Sequence, residues 1–220
     1  MRLLRLYGTM QKNKKGVLEI GEVGVDKLAD EYDTPLIVLD EKEIINKLNE
    51  YKNGLSSYPG ESKVLYASKA FANRTLYRIF EKEGISLDVV SGGELYTALK
   101  ADFPAEEIFF HGNNKLPSEI ELALKNDIGG FIVDNFPEAQ LLNELAKKYD
   151  KNVEVMIRLT PGIAAHTHDF MVTGKVDSKF GVGIKNGDAE KLVELISNRY
   201  KNLKLKGIHA HIGSQIYKKE

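Results

Sequence analysis

From Thr34 onwards, short apolar runs alternate along the chain with segments of helical periodicity. Apolar runs bounded by turn residues are typical of buried strands, whereas apolar residues spaced three and four apart are typical of helices. The predicted strands are residues 36–39, 64–67, 86–90, 108–110, 130–133, 153–159 and 203–210. The predicted helices include residues 44–51, 76–80, 95–99, 117–125, 136–149 and 188–198. Strands that alternate with helices predict parallel βαβ units.

Two of the helices are predicted to begin with a capping box, Asp40 with Glu43 and Ser91 with Glu94. In this motif the first side chain accepts a hydrogen bond from the N–H three residues later. Residues 1–34 do not share the repeating pattern. They predict short strands at 1–7 and 17–20 and a short helix at 25–32.

Two architectures fit the alternation, a closed (β/α)8 barrel and an open doubly wound sheet. No G-x-G-x-x-G follows the first strand, and polar residues cluster directly after the strands, so the pattern favours the barrel. Such a barrel needs about 250 residues. The chain ends at 218–220, soon after a predicted strand. We therefore expect the 220 residues to end inside a barrel that further chain would close.

The composition argues against several classes of function. The 220 residues have a formal net charge of -1 and no evident basic stripe, which argues against a nucleic-acid partner. The absence of cysteine excludes disulfides and thiolate metal sites within this chain and fits an intracellular location. No apolar run is long enough to span a bilayer, and the first residues lack a signal-peptide core.

Polar or charged residues that could carry chemistry lie at the predicted strand ends. On a barrel these ends meet at one mouth. A lysine held partly desolvated there has a lowered pKa and can attack a carbonyl, although it could also simply point at water. An arginine inside an apolar strand needs an acceptor, and a phosphate or phenolate oxygen would serve. The strand-end candidates are Lys69, Asp88, His111, Asp134, Arg158 and His211.

A histidine pair, His209 and His211, ends the last predicted strand. We expect only one of the two to face the barrel interior. Gly213 and Ser214 then offer a backbone N–H and a hydroxyl that suit a phosphate oxygen. A second pair, at 166 and 168, makes a zinc-dependent hydrolase an alternative. That class expects the pair on the first barrel strand, so we rank it second and predict no metal.

Six segments together resemble the fold-type III, pyridoxal-phosphate-dependent decarboxylases, from about residue 34 to 216. The segments are Tyr66-Ala67-Ser68-Lys69-Ala70, Ser91-Gly92-Gly93-Glu94-Leu95, His111-Gly112-Asn113-Asn114-Lys115, Arg158-Leu159-Thr160-Pro161, Asp177-Ser178-Lys179-Phe180-Gly181 and His209-Ala210-His211-Ile212-Gly213-Ser214-Gln215. The resemblance implies an α/β chain with an alanine-racemase-like (β/α)8 TIM-type barrel. Residues 35–220 would form six of its eight strands, and residues 1–34 would contribute to a β-rich second domain that is mostly missing here.

The resemblance also implies roles for individual residues. Lys69 would bind pyridoxal 5'-phosphate covalently, and His211, taken as the inward histidine, would stack on the ring. Arg158 would lie near the phenolic edge, Asp88 near the cofactor and the lysine, and Ser214 at the phosphate. Lys69 and His211 would be catalytic. Glu94 would lie near the cofactor, although its capping position already explains it.

Two of the segments, at 111–115 and 211–215, favour within this family the decarboxylation of meso-2,6-diaminopimelate to L-lysine and CO2 over the ornithine and arginine reactions. Decarboxylases of lysine, ornithine, arginine or carboxynorspermidine, and a non-catalytic barrel that binds the cofactor, remain alternatives. The resemblance implies a cytoplasmic homodimer with its active site at the interface. The rest of that site would belong to a second half, so the 220 residues alone should be inactive.

Overall fold

A computed structural model of the chain describes residues 5–162 and 180–213. The chain divides into two compact units, Met1–Val64 with Lys82–Ile85, and Leu65–Glu81 with Ser86–Glu220. The predicted division into an N-terminal segment at 1–34 and a barrel at 35–220 stays a prediction. Within residues 5–162 and 180–213, no helix is long and apolar enough to cross a membrane.

The first unit contains a small antiparallel sheet and two helices. Its strands pair in the order β1-β2-β3. The elements are β1 (Gln11–Lys12), β2 (Leu18–Ile20), β3 (Val23–Gly24), α1 (Val25–Tyr32) and α2 (Glu41–Gly54). The predicted strand at 17–20 and helix at 25–32 are therefore confirmed. The strand predicted at 1–7 is absent from residues 5–7, and its first four residues lie outside the described chain.

Asp40 begins α2 as predicted, because its Oδ1 accepts a hydrogen bond from the backbone N–H of Glu43 at 3.1 Å. The strand predicted immediately before it, at 36–39, is wrong. These residues form no strand, and Ile37 is 88% exposed. An apolar run becomes a strand only when a neighbouring strand supplies its hydrogen-bond ladder, and residues 36–39 have no such neighbour in the described chain.

The second unit is built on parallel strands in the order β10-β8-β7-β6-β5-β4, with β9 also pairing with β8. The strands are β4 (Leu65–Ala67), β5 (Ser86–Val89), β6 (Ile108–Phe110), β7 (Gly130–Val133), β8 (Val153–Thr160), β9 (Val182–Gly183) and β10 (Leu203–Ala210). The helices are α3 (Arg74–Lys82), α4 (Gly92–Leu99), α5 (Pro117–Lys125), α6 (Phe136–Lys148) and α7 (Asp188–Asn198). Six predicted strands are thus confirmed to within one residue.

The strand order distinguishes between the two architectures. In a doubly wound sheet the order reverses at a switch point. Here β4 to β8 and then β10 follow one another in chain order without a reversal, which is the arrangement of a barrel wall. The wall is held by side chains that are 0% exposed, such as Leu87, Ile108 and Ile157 on strands and Leu142 and Leu192 on helices. Each contributes about 1.5–3 kcal/mol by leaving water.

Strand register brings the carboxyl ends to one edge. Ala67 lies opposite Asp88, and Asp88 lies opposite Phe109. Further along the same sheet, Arg158 on β8 lies opposite His209 on β10. Residues that are far apart in the sequence therefore emerge side by side at this edge.

Candidate active site

The predicted strand-end residues lie where the parallel strands end. Asp88, Arg158 and His209 are on β5, β8 and β10, while His111 and Asp134 directly follow β6 and β7. Lys69 lies in a short 3-10 turn, Ser68–Ala70, that follows β4. His211 comes directly after β10. Ser214, the pair at 166 and 168, and residues 177–179 lie outside the described chain.

His111 joins two charged residues from different strands. Arg158 Nη1 lies 3.2 Å from His111 Nε2, and His111 Nδ1 lies 3.4 Å from Asp88 Oδ2. A guanidinium can only donate, so Nε2 is the acceptor and the ring proton is on Nδ1, directed at the carboxylate. The network therefore fixes one tautomer of His111.

Arg158 is buried and contacts the protein on several sides. Its Nη1 is also 3.5 Å from Asp134 Oδ1, and its Cζ lies 4.5 Å from the centre of the Phe180 ring. Burial lowers the pKa of Arg158, and the carboxylates of Asp134 and Asp88 oppose that change. The predicted need for an acceptor is met by a protein group, because His111 Nε2 accepts from Arg158, while Asp134 is an ion-pair partner.

The expectation that only one histidine of the last strand faces the interior is wrong. Side chains two residues apart on a strand project to the same side. His209 packs edge-on against His111 with ring centres 4.5 Å apart. Burial lowers the pKa of both His209 and His211, and the positive charge of Arg158 is among the smaller effects that lower both further. Both histidines therefore belong to the cluster.

Lys69 is exposed, so the partial desolvation expected from the sequence is not seen. It is nevertheless close enough to act on the cluster. Its charge contributes to lowering the pKa of His211, and it opposes the rise that burial causes in the pKa of Glu94. Glu94 also accepts a hydrogen bond at 2.8 Å from the N–H of Val90, while Ser91 Oγ accepts from the Glu94 N–H at 3.3 Å.

A second buried network was missed by the sequence analysis. Lys115 Nζ donates hydrogen bonds to the carboxylate of Glu138 at 2.7 Å and to two backbone carbonyls. The sequence signal was Glu138 at the third position of α6, behind the N-cap Asn135, whose Oδ1 accepts from the Glu138 N–H at 2.9 Å. Asn135, and not Asp134, therefore caps this helix.

Within residues 5–162 and 180–213, no group of three or more histidine, aspartate, glutamate or cysteine side chains could hold a metal ion. The chemistry of the described cluster is instead that of an accessible amine beside a buried guanidinium, two carboxylates and three imidazoles. An exposed amine can form a covalent bond to a carbonyl group. A buried guanidinium can bind oxyanions and phenolate oxygens.

A sequence model described as "Pyridoxal-dependent decarboxylase, pyridoxal binding domain" matches residues 41–220. The diaminopimelate decarboxylase of Bacillus subtilis (strain 168) is 47% identical over 212 residues, which cover 96% of this chain and 48% of the relative. The chain thus spans about half the length of the curated relatives it matches.

Solved structures of diaminopimelate decarboxylases are also similar to this chain. The diaminopimelate decarboxylase of M. jannaschii in complex with L-lysine is 34% identical with a TM-score of 0.83, over 94% of this chain and 48% of that one. The enzyme of Helicobacter pylori in complex with L-lysine is 30% identical with a TM-score of 0.77, over 88% of this chain and 48% of that one. These likenesses confirm the predicted fold class, an α/β chain that forms part of a (β/α)8 barrel.

Proposed function

The chain belongs to the pyridoxal-dependent decarboxylases, and from this premise we propose that the protein decarboxylates meso-2,6-diaminopimelate to L-lysine and CO2 with pyridoxal 5'-phosphate as cofactor. The observation that carries the proposal is the position of Lys69 beside the Arg158 cluster, at the carboxyl edge of the parallel sheet.

The chemistry of the described residues fits this cofactor. Covalent attachment of the cofactor aldehyde requires an accessible amine, and Lys69 is exposed. A phenolic oxygen requires a cation, and the guanidinium of Arg158 has five N–H donors in a fixed fork. Three polar atoms of the cluster, Asp88 Oδ1, Asp134 Oδ1 and His209 Nδ1, are buried without a hydrogen-bond partner among the described residues. Buried polar atoms normally have partners, which supports a polar ligand here.

Each residue then has a separate task. Lys69 would hold the cofactor through Nζ, and Arg158 would bind its phenolic oxygen. His211 would cover the ring face and exclude water from it, and Asp88 holds His111 in the Nδ1–H tautomer. On the resemblance, Ser214, which lies outside the described residues, would contribute its hydroxyl to the phosphate. When bound, pyridoxal phosphate supplies an electron-poor ring that accepts the electron pair left by the departing CO2.

The proposed substrate is supported by the relatives. The B. subtilis protein is named a diaminopimelate decarboxylase, and the M. jannaschii and H. pylori structures contain L-lysine, which would be the product. We also propose, on the resemblance stated above, that the protein is a cytoplasmic homodimer with its active site at the interface. A monomer in sedimentation under assay conditions, with full activity, would contradict the dimer.

Borohydride reduction of the full-length protein, followed by peptide mapping, tests the role of Lys69. The label should appear on Lys69 and disappear in Lys69→Ala, whereas Lys100→Ala, which changes an exposed lysine at the end of α4, should label normally. Label on another residue would refute the assignment.

Release of CO2 tests the substrate. We expect release from meso-2,6-diaminopimelate and little from ornithine, arginine or lysine. Preference for one of those would place the protein in another branch of the family. Cofactor binding without CO2 release from any of them would indicate a non-catalytic protein.

A further inference from the structure

Lys115 and Glu138 form an ion pair inside the second unit, with side chains 1% and 6% exposed. Lys115 Nζ donates to Glu138 Oε1 at 2.7 Å, to the carbonyl of Gly112 at 2.8 Å and to the carbonyl of Ile132 at 2.8 Å. An ammonium group has three donors, so all three are used by the protein. Lys115 therefore has no donor left for a cofactor or a substrate.

Glu138 extends the connection to a third point of the backbone. Its Oε2 accepts a hydrogen bond from the N–H of Asp134 at 3.2 Å. Burial raises the pKa of Glu138, and the charge of Lys115 opposes this rise. One ion pair thus ties the loop after β6 to the end of β7 and to the first turn of α6.

Two of the backbone positions that the pair holds lie at partners of Arg158. Gly112 directly follows His111, whose Nε2 accepts from Arg158, and Asp134 itself lies 3.5 Å from Arg158 Nη1. Gly112 has a φ of 108°, which favours glycine, and a Cβ at this position would lie 3.2 Å from the carbonyl oxygen of Val90. The turn after His111 is therefore narrow, and its Gly112 carbonyl accepts a hydrogen bond from Lys115.

Stability alone does not require this pair. Apolar residues of similar volume can replace a buried ion pair with little loss of stability, and sometimes with a gain. Apolar side chains cannot, however, replace the bonds to Gly112, Ile132 and Asp134. The position of these backbone groups is thus the property that only the charged pair supplies.

We propose that Lys115 and Glu138 are positioning residues, which hold His111 and Asp134 around Arg158 and so orient Arg158 toward the cofactor. The arrangement of His111 and Asp134 follows from the described contacts. Only the last step, toward the cofactor, rests on the proposed function.

Three full-length variants test the proposal: Lys115→Met, Glu138→Leu and the double variant. Each single change leaves one buried charge unpaired and should lower the urea midpoint by roughly 1–2 M. The double variant should recover most of that loss. If the pair positions the site, the double variant should still lose the single Nδ1–H tautomer of His111 in 15N NMR spectra, and its affinity for pyridoxal phosphate should fall about tenfold.

A double variant with the wild-type His111 spectrum and a cofactor affinity within about twofold of wild type would overturn the proposal and leave the pair a structural role. Lys148→Met, which breaks the exposed pair with Glu121, is the matched control and should change neither readout. Should the double variant not fold, Glu138→Gln decides. It keeps the shape, but its amide nitrogen cannot accept a hydrogen bond, so an unchanged His111 spectrum there also overturns the proposal.

The outcomes separate this proposal from the proposed function. Wild-type protein that binds no pyridoxal phosphate contradicts the proposed function. The His111 spectrum of the variants still decides whether the ion pair positions the cluster.

Discussion

His111 receives contacts from three other strands of the sheet. Asp88 on β5, Arg158 on β8 and His209 on β10 all meet its ring. The sequence indicated that His111 ends a strand, but it gave no means to pair it, because Asp88 is 23 residues away and Arg158 is 47 residues away. Such contacts depend on strand register, and a one-residue shift would send each side chain to the other face.

Arg158→Lys tests the value of the guanidinium. A lysine keeps the charge but lacks the planar guanidinium, whose Nη1 lies 3.2 Å from His111 Nε2 and 3.5 Å from Asp134 Oδ1. We expect the affinity of the full-length protein for pyridoxal phosphate to fall about tenfold to a hundredfold, from the loss of one or two charged hydrogen bonds. Absorbance titration measures this affinity. Arg199→Lys, on an exposed arginine at the end of α7, should bind as wild type does, and equal affinity in the Arg158 variant would contradict the prediction.

His209 gives the protein a predictable response to acid. Burial, with smaller effects of His111 and Arg158, lowers the pKa of His209 from 6.5 to about 4. Between these two pH values His209 binds a proton in the unfolded chain but not in the folded protein. The free energy of unfolding therefore falls as pH is lowered through this window. The contribution is about 1–2 kcal/mol after allowance for solvent screening.

Urea unfolding of full-length wild type and His209→Gln between pH 4.5 and 7 measures the effect. The variant should lose less stability on acidification than wild type does. Parallel curves would show that His209 titrates normally in the folded protein.

At the scale of elements, helix starts and buried strands were predictable because their signals are local. Asp40 and Ser91 each accept the N–H three residues later, which is the N-cap half of the predicted capping boxes, and six of the seven strands described in the parallel sheet begin and end close to the expected residues. The strand at 36–39 was wrong because burial depends on what covers a run, not on the run itself. The Lys115–Glu138 pair was missed because no local pattern states which buried charges will meet.

Asn135→Ala tests one helix start. Asn135 Oδ1 accepts the N–H of Glu138 and caps α6. Its loss should reduce the free energy of unfolding by about 1 kcal/mol. Asn135→Asp retains a capping oxygen and should stay within about 0.5 kcal/mol of wild type. Chemical denaturation of the full-length protein measures both variants, and equal loss in the two would rule out capping as the cause.

At the scale of the whole molecule, the order of the strands decided the architecture. The sequence left a barrel and an open sheet in competition, and the continuous order from β4 to β10 favours the barrel. Within the described chain, β4 pairs only with β5 and β10 pairs only with β8. In a closed eight-stranded barrel, further strands would pair with both.

Hydrogen exchange of the full-length protein tests this closure. If the barrel closes, backbone N–H groups of β4 and β10 should exchange as slowly as those of β7, within about tenfold, because all then open only with the global fold. Open edges would exchange several orders of magnitude faster than β7. Residues 5–7, which are exposed and outside any strand, serve as the fast-exchanging reference.

The single edge that gathers the candidate residues also sets when the site can form. Lys69 leaves the ribosome before His211, which follows it 142 residues later in the chain. Each intervening strand must pair in turn before the two meet, since parallel strands cannot pair through a local hairpin. A nascent chain can therefore present the lysine long before it can hold a cofactor in the complete cluster.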